Sequence, residues 1–360
     1  MPSKEGFSYA PSGKPQPVVK PGEFAFAAAY LDHGHIYGQC NGLIEAGGTL
    51  KYVYDTDPKR IEGFRAKYPQ AKAVESLDRI LEDKEIRLVA AAAIPDQRCA
   101  IGCRVMKAGK DYFTDKSPFT TLEQLAQAKK VVAETGRKYA VYYSERLHVE
   151  SAWYVSELLK QGAIGRVVQV LNLAPHKLSK PNRPDWFFDK SKYGGILTDI
   201  GSHQFEQFLS CTNSKDATIN FARVANFNNH DKPGLEDFGE ASIETDTGAS
   251  CYARIDWFTP DGLQSWGDGR LFVLGTEGFI EVRKYMDIAR DTGGDLVFIA
   301  DQHKEQMIDC KGKVGFPFFG KLILDCLNRT ENAMTQDHAF KAAELSMQAQ
   351  LFADTKRRIL

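Results

Sequence analysis

The chain has 360 residues, 43% of them hydrophobic and 26% charged, which are the proportions of a globular protein rather than a disordered or fibrous one. Forty-six basic residues balance 47 acidic ones, for a formal net charge of −1, so there is no basic excess to neutralise phosphates and no nucleic-acid partner is expected. The length suits two domains, and seven cysteines without a C-x-x-C pair read as reduced thiols in a cytoplasmic protein rather than as a disulfide framework.

Residues 1–22 are rich in Pro, Gly, Ser and Lys, lack the apolar centre of a signal peptide, and read as a loose, flexible tail. No run of about 18 apolar residues follows, so no membrane association is expected. Residues 24–30 (FAFAAAY) form a short continuous apolar run, the pattern of a strand buried on both faces in a parallel sheet. A helix over 35–46 is stopped by Gly47 and Gly48. A strand over 50–54 ends at Asp55, and Pro58 suits the first turn of the next helix. There follow a buried strand over 86–94, a helix over 97–108 and a strand beginning at Tyr112. A helix opens on a capping box at Thr121 and Gln124 and ends at Gly136, before a strand over 138–143. Alternation of this length predicts a Rossmann-type, doubly wound parallel sheet over residues 23–147.

After Leu147 the pattern changes. Helices are expected over 151–160 and 195–209, with a strand over 167–173 between them. Further strands are expected over 219–227, 241–245, 250–257, 271–274 and 279–282, and helical periodicity returns from Gln336. The whole reads as an α/β protein whose residues 148–360 form an α+β substrate-binding and oligomerisation domain with a largely antiparallel open sheet. An open sheet face needs a cover, so a homodimer or homotetramer is expected.

Between the first strand and its helix runs Tyr30-Leu31-Asp32-His33-Gly34-His35-Ile36-Tyr37-Gly38. A dinucleotide fold wants glycines here, because the backbone must approach a pyrophosphate at the helix N-terminus. Gly34 and Gly38 are available, although the G-x-G-x-x-G spacing is absent and ordinary turn glycines would read the same. Asp55 stands where a carboxylate accepts ribose hydroxyls and repels a ribose phosphate, which favours NAD over NADP; its alternative role is a turn residue before Pro58. In the second half, Asp199 and His203 are four apart on a helix and therefore neighbours on one face, after the Gly194-Gly195 turn. A neutral histidine can accept the proton that leaves a hydroxyl during hydride removal, and an ammonium such as Lys116, at the carboxyl edge of the sheet, can favour the developing alkoxide.

Four stretches resemble the glucose–fructose oxidoreductase and inositol dehydrogenase (Gfo/Idh/MocA) family, and the similarity runs from about residue 24 to 360. They are the strand, turn and Asp55 region; Ala108-Gly109-Lys110 through Asp115-Lys116-Ser117-Pro118; Gly162-Ala163-Ile164-Gly165-Arg166-Val167; and Gly194-Gly195-Ile196-Leu197-Thr198-Asp199-Ile200-Gly201-Ser202-His203. The last, similar to the family's G-G-x-L-x-D-x-G-x-H, is the most specific. The resemblance implies that Lys116 is the catalytic lysine, Asp199 the substrate-orienting aspartate and His203 the proton-transferring histidine. Asp32, His33, Gly34, His35, Asp55, Pro95, Asp115 and Lys116 then border the cofactor, NAD. Arg146 resembles the family's arginine at the domain junction, with a domain-linking salt bridge as its alternative. His176, Arg183, Asp185 and Trp186 lie in a loop suited to a polyol, with an aromatic face for the ring and polar groups for hydroxyls. Arg146, His176, Trp186, Asp199 and His203 form the expected substrate-binding set.

Three departures from the family pattern stand out. The proline of Glu-Lys-Pro is displaced by one, with Asp115 in place of the glutamate. The glycine turn carries Asp32 and His35 where glycine or alanine is usual, so that His33 and His35 either contact phosphate or cap the helix. Glu206 stands where the family has Asp, as a longer substrate contact or as a surface glutamate. The expected activity is NAD-dependent hydride transfer to or from a ring hydroxyl of a sugar, polyol or related small molecule. The alternatives are an NAD-dependent glycosidase acting through transient oxidation and a non-catalytic NAD-sensing relative. No metal site is expected, since Cys99 and Cys103 lack a second pair.

Overall fold

The computed structural model describes residues 17–288 and 293–356. They form two compact units that are discontinuous in sequence: one holds residues 17–142 and 316–340, the other 143–315 and 341–356.

In the first unit, strands β1 (Ala25–Ala29), β2 (Thr49–Tyr54), β3 (Lys72–Ala73), β4 (Ile86–Ala91), β5 (Asp111–Asp115) and β6 (Tyr139–Tyr142) make a six-stranded parallel sheet ordered β3-β2-β1-β4-β5-β6. This is the doubly wound order, with its topological switch point between β1 and β4. Its helices are α1 (His35–Glu45), α2 (Pro58–Lys67), α3 (Leu77–Glu82), α4 (Arg98–Lys107) and α5 (Leu122–Thr135). All five residues of β1 and of β5 are buried, as the continuous apolar run predicts for β1. Local signals set the helix ends: Asp57 caps the amide of Lys59 ahead of Pro58, Thr121 caps Gln124, and Gly136 closes α5 in the left-handed region at φ 63°. Val18 donates to the Ala46 carbonyl at 3.0 Å and Gly22 to Thr49 Oγ1 at 2.9 Å, which ties the described part of the amino-terminal stretch to this unit. Residues 1–16 of the expected tail lie outside the described residues.

The second unit begins with α6 (Ser144–Leu147) and α7 (Glu150–Lys160), followed by β7 (Val167–Pro175) and the helical turns α8 (Lys190–Tyr193) and α9 (Ile196–Asp199). Helix α10 (Gly201–Thr212) leads to β8 (Ala217–Ala225), β9 (Phe238–Thr245), β10 (Ser250–Asp256), β11 (Arg270–Gly275), β12 (Gly278–Arg283), β13 (Leu296–Asp301) and β14 (Glu305–Asp309). The eight-stranded sheet is ordered β14-β13-β12-β11-β7-β10-β9-β8 and is antiparallel except between β7 and β10. Helix α11 (Pro317–Asn328) returns to the first unit, and α12 (Gln336–Thr355) gives its first residues to that unit and the rest to the second. Among the described residues no helix is long and apolar enough to cross a membrane.

Candidate active site

The turn after β1 is pinned on both sides. Tyr30 takes φ 55°, donates to the Tyr54 carbonyl at 3.0 Å and accepts from the amide of Ala92 at 3.0 Å, while the His33 amide donates to the Ala92 carbonyl at 3.0 Å. The loop is thereby held at the switch point, where doubly wound folds bind their ligands. The two glycines play different parts. Gly34 is the N-cap of α1, and a Cβ there would meet nothing within 4 Å, so a ligand can approach the backbone at the start of the helix. A Cβ on Gly38 would stand 2.5 Å from the Tyr142 hydroxyl, so that glycine serves packing of α1 against β6.

Asp55 is held rather than free. Its Oδ2 accepts the Leu31 amide at 2.6 Å, and its Oδ1 accepts the Asp57 amide at 2.7 Å and Arg60 Nη1 at 3.4 Å. Of the four lone-pair positions of a carboxylate, one on Oδ2 remains for a ribose hydroxyl. Arg60 also bonds Asp32 Oδ1 at 2.5 Å, which offsets the negative charge that Asp32 brings to the turn.

Asp115, at the carboxyl end of β5, is fully buried and gathers donors from three elements. Its Oδ1 accepts His35 Nδ1 and the Lys116 amide, each at 2.7 Å. Arg98 Nη2 lies 3.3 Å from Oδ2, and His33 Nδ1 lies 2.8 Å from the same oxygen. Burial alone would disfavour its charge, but His35, Arg98 and His33 outweigh burial and hold the carboxyl well below the usual range. His33 moves the other way: burial, with His35 beside it, pushes it down to about 4 against the pull of Asp115. Neither histidine caps α1, which has no side-chain cap. The three side chains lie close enough to suggest a metal centre, but His35, the Lys116 amide, Arg98 and His33 already crowd both Asp115 oxygens. The cluster is a hydrogen-bonding hub. Arg98 also donates to the Ser117 carbonyl at 3.0 Å and to the Lys116 carbonyl, so one buried guanidinium fixes the backbone that carries Lys116. Lys116 itself is 8% exposed, and the Lys116–Ser117 bond is cis. Pro95 is buried and opens the short turn after β4.

In the second unit, Gly194 and Gly195 both adopt positive φ, 87° and 95°. A Cβ on Gly195 would collide with the side chain of Gln350, whose Oε1 accepts the Leu197 amide at 3.0 Å, while Glu236 Oε2 accepts the Ile196 amide at 2.9 Å. The glycine turn thus lets the start of α9 close onto α12, the approach that the sequence left unassigned. Ile200, between α9 and α10, keeps right-handed helical angles (φ −69°, ψ −43°), so Asp199 and His203 retain their helical spacing. They are 8% and 2% exposed.

Behind His203 lies a polar cluster that the sequence reading did not find. Glu145 Oε2 accepts Gln204 Nε2 at 2.9 Å and Lys284 Nζ at 3.1 Å, and its Oε1 is 3.6 Å from His176 Nε2. Burial opposes the charge on Glu145, but Lys284, His203 and His176 outweigh it and hold the carboxyl down at about 2. Arg146 and Glu206 form a separate buried pair, with Nε 2.8 and 2.9 Å from the two carboxylate oxygens and Nη2 also on Oε1. Glu206 is fully buried, so the expectation of a surface glutamate is corrected: its extra methylene reaches Arg146. His176 packs against Trp257 and Trp266, with ring centroids 5.4 and 4.6 Å away. Trp186 lies in a single helical turn over Asp185–Phe188, and its buried Nε1 has no protein acceptor.

The sequence-expected residues therefore gather in two sets. Asp32, His33, Gly34, His35, Asp55, Pro95, Asp115 and Lys116 share the carboxyl edge of the parallel sheet, whereas Arg146, His176, Trp186, Asp199 and His203 belong to the second unit. Arg98, Glu145, Lys284 and Gln350 were missed. Their one sequence signal, polar residues within otherwise apolar stretches, does not identify partners far away in the chain.

The description "oxidoreductase family, NAD-binding Rossmann fold" matches residues 26–143, and the Gfo/Idh/MocA C-terminal domain matches residues 153–281. A crystal structure from Erwinia carotovora atroseptica, classed only as an oxidoreductase, is 46% identical, covers 94% of this chain and 100% of its own, and superimposes with TM-score 0.89. An Agrobacterium radiobacter oxidoreductase solved with NAD+, L-tartaric acid and magnesium shares the fold at TM-score 0.79 and 14% identity, over 93% of this chain and 97% of that one. The D-xylose dehydrogenase of Paenarthrobacter nicotinovorans is 24% identical over 149 residues, 40% of this chain and 38% of its own length. The chain thus spans about two fifths of the curated relatives it matches. With both domains matched in order, the chain belongs to the Gfo/Idh/MocA oxidoreductase family and carries that family's NAD-binding Rossmann domain.

Proposed function

We propose that this protein is an NAD-dependent dehydrogenase that moves a hydride between nicotinamide and a hydroxyl-bearing carbon of a sugar, polyol or related acid. The observation that carries the reading is the buried Asp199–His203 pair on one helical face, backed by the ionised Glu145. The first unit fits the cofactor: Gly34 leaves the start of α1 open to a pyrophosphate, and Asp55 keeps one acceptor position for a ribose hydroxyl. When bound, NAD supplies the hydride acceptor. His203 takes the proton of the substrate hydroxyl at an imidazole nitrogen, Asp199 orients that hydroxyl, and Lys116 stabilises the developing negative oxygen. Asp32, His33 and His35 shape the turn, Pro95 borders the nicotinamide end, and Asp115 sets the position of Lys116. Arg146, His176 and Trp186 shape the substrate side. The names of relatives, among them a D-xylose dehydrogenase and a levoglucosan dehydrogenase, support a carbohydrate substrate.

We further propose a homo-oligomer in which a second copy covers the open sheet, since Phe221, Leu274, Phe279 and Met307 are 44%, 48%, 52% and 50% exposed. The seven buried free cysteines support a reducing, cytoplasmic compartment.

The test is NADH absorbance on mixing protein, NAD and a panel of sugars, polyols and their acids. Net NADH formation is expected, and His203→Asn should lower turnover by about a hundred- to ten-thousandfold while NAD binding persists. Sugar release without NADH would replace the dehydrogenase by a glycosidase, and NAD binding with neither outcome would leave a sensor.

A further inference from the structure

The segment after β7 carries donors that the protein does not satisfy. The Arg183 guanidinium lies against two aromatic rings, 4.4 Å from the centroid of Phe187 and 5.1 Å from that of Trp257. Its Nε donates to the Leu178 carbonyl at 2.8 Å and Nη2 to the Lys177 carbonyl at 3.3 Å. These bonds fix the plane of the fork and leave the rest of its five N–H donors unused. Among the described residues no carboxylate lies in ion-pair range of Arg183, although burial disfavours its charge and only Asp199 acts on it from farther away. Two other buried cations of the same unit do have one: Arg146 has Glu206 and Lys284 has Glu145.

Two neighbours share this imbalance. Trp186, three residues on, has its Nε1 donor buried without an acceptor, and its ring lies 6.0 Å from that of Phe187, the ring beneath Arg183. Lys177 bonds the carbonyls of Asp261 and Leu263 and has no carboxylate partner among the described residues. A desolvated donor without an acceptor is costly, and so is a partly buried cation without an anion. Both costs are relieved by one group, a planar anion with two acceptor oxygens. The aromatic rings hold the guanidinium fork in a fixed plane, which suits a carboxylate better than a tetrahedral anion.

We propose that Arg183, helped by Trp186, whose ring also neighbours that of Phe187, binds a carboxylate on the substrate, so that the substrate class is a sugar acid or other hydroxy acid rather than a neutral sugar. The assignment rests on the dehydrogenase reading for the reaction but not for the binding, since Arg183, Trp186 and Asp199 lie in one unit. Arg183 takes no part in proton or hydride transfer. It anchors one end of the substrate and thereby selects which hydroxyl is presented to Asp199 and His203.

The test is calorimetric binding to the full chain, with NAD present, of matched probes: D-galacturonate against D-galactose, D-glucuronate against D-glucose, and D-gluconate against D-sorbitol. At least one acid is expected to bind about ten- to a hundredfold tighter than its neutral partner, the range of a charge-assisted bond. Arg183→Gln should bring that ratio close to one, and Arg183→Lys should restore only part of it, because a point charge cannot replace the fork. Thermal unfolding of both variants separates a lost contact from a lost fold; if Arg183→Gln unfolds, Trp186→Phe carries the test and should reduce the same ratio severalfold. Neutral partners that bind as tightly as the acids, or no binding by any acid while NAD binds, would overturn the proposal, as would glucose 6-phosphate binding tighter than every acid. Acid binding without NADH formation would leave it standing and remove the dehydrogenase reading instead.

Discussion

Lys284 Nζ lies 3.1 Å from Glu145 Oε2, and both side chains are buried, at 0% and 3% exposure. Such a pair adds little net stability over apolar residues, yet leaving one partner alone is costly, by about 3–5 kcal/mol. Lys284→Met should therefore destabilise the protein by about that much at neutral pH. The sign of the pH dependence follows from the direction of the Glu145 shift, from 4.5 down to about 2. A depressed carboxyl contributes stability that is complete above its unfolded value and lost as the pH falls through its folded value. The gap between wild type and Lys284→Met should thus be widest above pH 4.5 and narrow as the pH approaches 2. Urea unfolding at a series of pH values measures it; a gap independent of pH would show that Glu145 is not the group involved.

Asp115 makes a comparable prediction in the other unit. Asp115→Asn keeps the size but removes the charge that His33, His35 and Arg98 surround. The variant should lose about 3–5 kcal/mol of stability, because Arg98 remains buried without its anion. It should also loosen the Lys116 backbone, whose amide loses an ionised acceptor. Hydrogen exchange at residues 115–117 should accelerate more than in the rest of the sheet. Unchanged exchange there would mean that the carbonyl bonds of Arg98 alone hold the segment.

What the sequence revealed depended on range. Apolar runs such as 24–30 identify parallel strands because burial on both faces is written in consecutive residues. The spacing of Asp199 and His203 is equally local and survives the break at Ile200. The Lys284–Glu145 pair spans 139 positions, and nothing near either residue names its partner. Gly38 stands in the turn region where a dinucleotide fold wants glycines for a ligand, whereas it makes room for Tyr142, and Gly195, whose role the sequence left open, makes room for Gln350. The edge strand β14 (Glu305–Asp309) escaped notice because it alternates exposed and half-buried positions and carries no apolar run, whereas β13 carries one over residues 296–300 that the sequence reading passed over. The return of residues 316–340 to the first unit is a matter of tertiary packing that composition does not encode.

Two glycines of α1 and its cap separate packing from ligand approach. A Cβ on Gly42 would collide with the buried Phe319 ring, while one on Gly34 would enter open space. Gly42→Ala should cost about 1–3 kcal/mol through overpacking, beyond the roughly 1 kcal/mol gained from better helix propensity. Gly34→Ala should leave thermal stability within about 0.5 kcal/mol and weaken NAD binding instead, because the methyl group would occupy the approach to the start of α1. Thermal unfolding and NAD titration of the two variants should give opposite patterns. If Gly34→Ala bound NAD as wild type does, the cofactor would not approach this edge.

The open face of the eight-stranded sheet supplies the last prediction. Phe279 on β12 and Met307 on β14 are each about half exposed, and they flank Phe298 of β13 in a shallow apolar depression. On a monomer these side chains would rest in water, at a cost of about 25 cal/mol for each Å² of apolar surface left uncovered. A second copy of the same sheet would bury them by a two-fold contact in which each patch meets its own copy. Placing a carboxylate there, as in Phe279→Glu with Met307→Glu, puts like charges opposite each other across that contact without disturbing the buried face of the sheet. Light scattering after size exclusion should show an oligomer for the wild type and a smaller species for the double variant, with unchanged circular dichroism. A wild type that is monomeric at micromolar concentration, or a double variant of unchanged mass, would remove the proposed interface from this face.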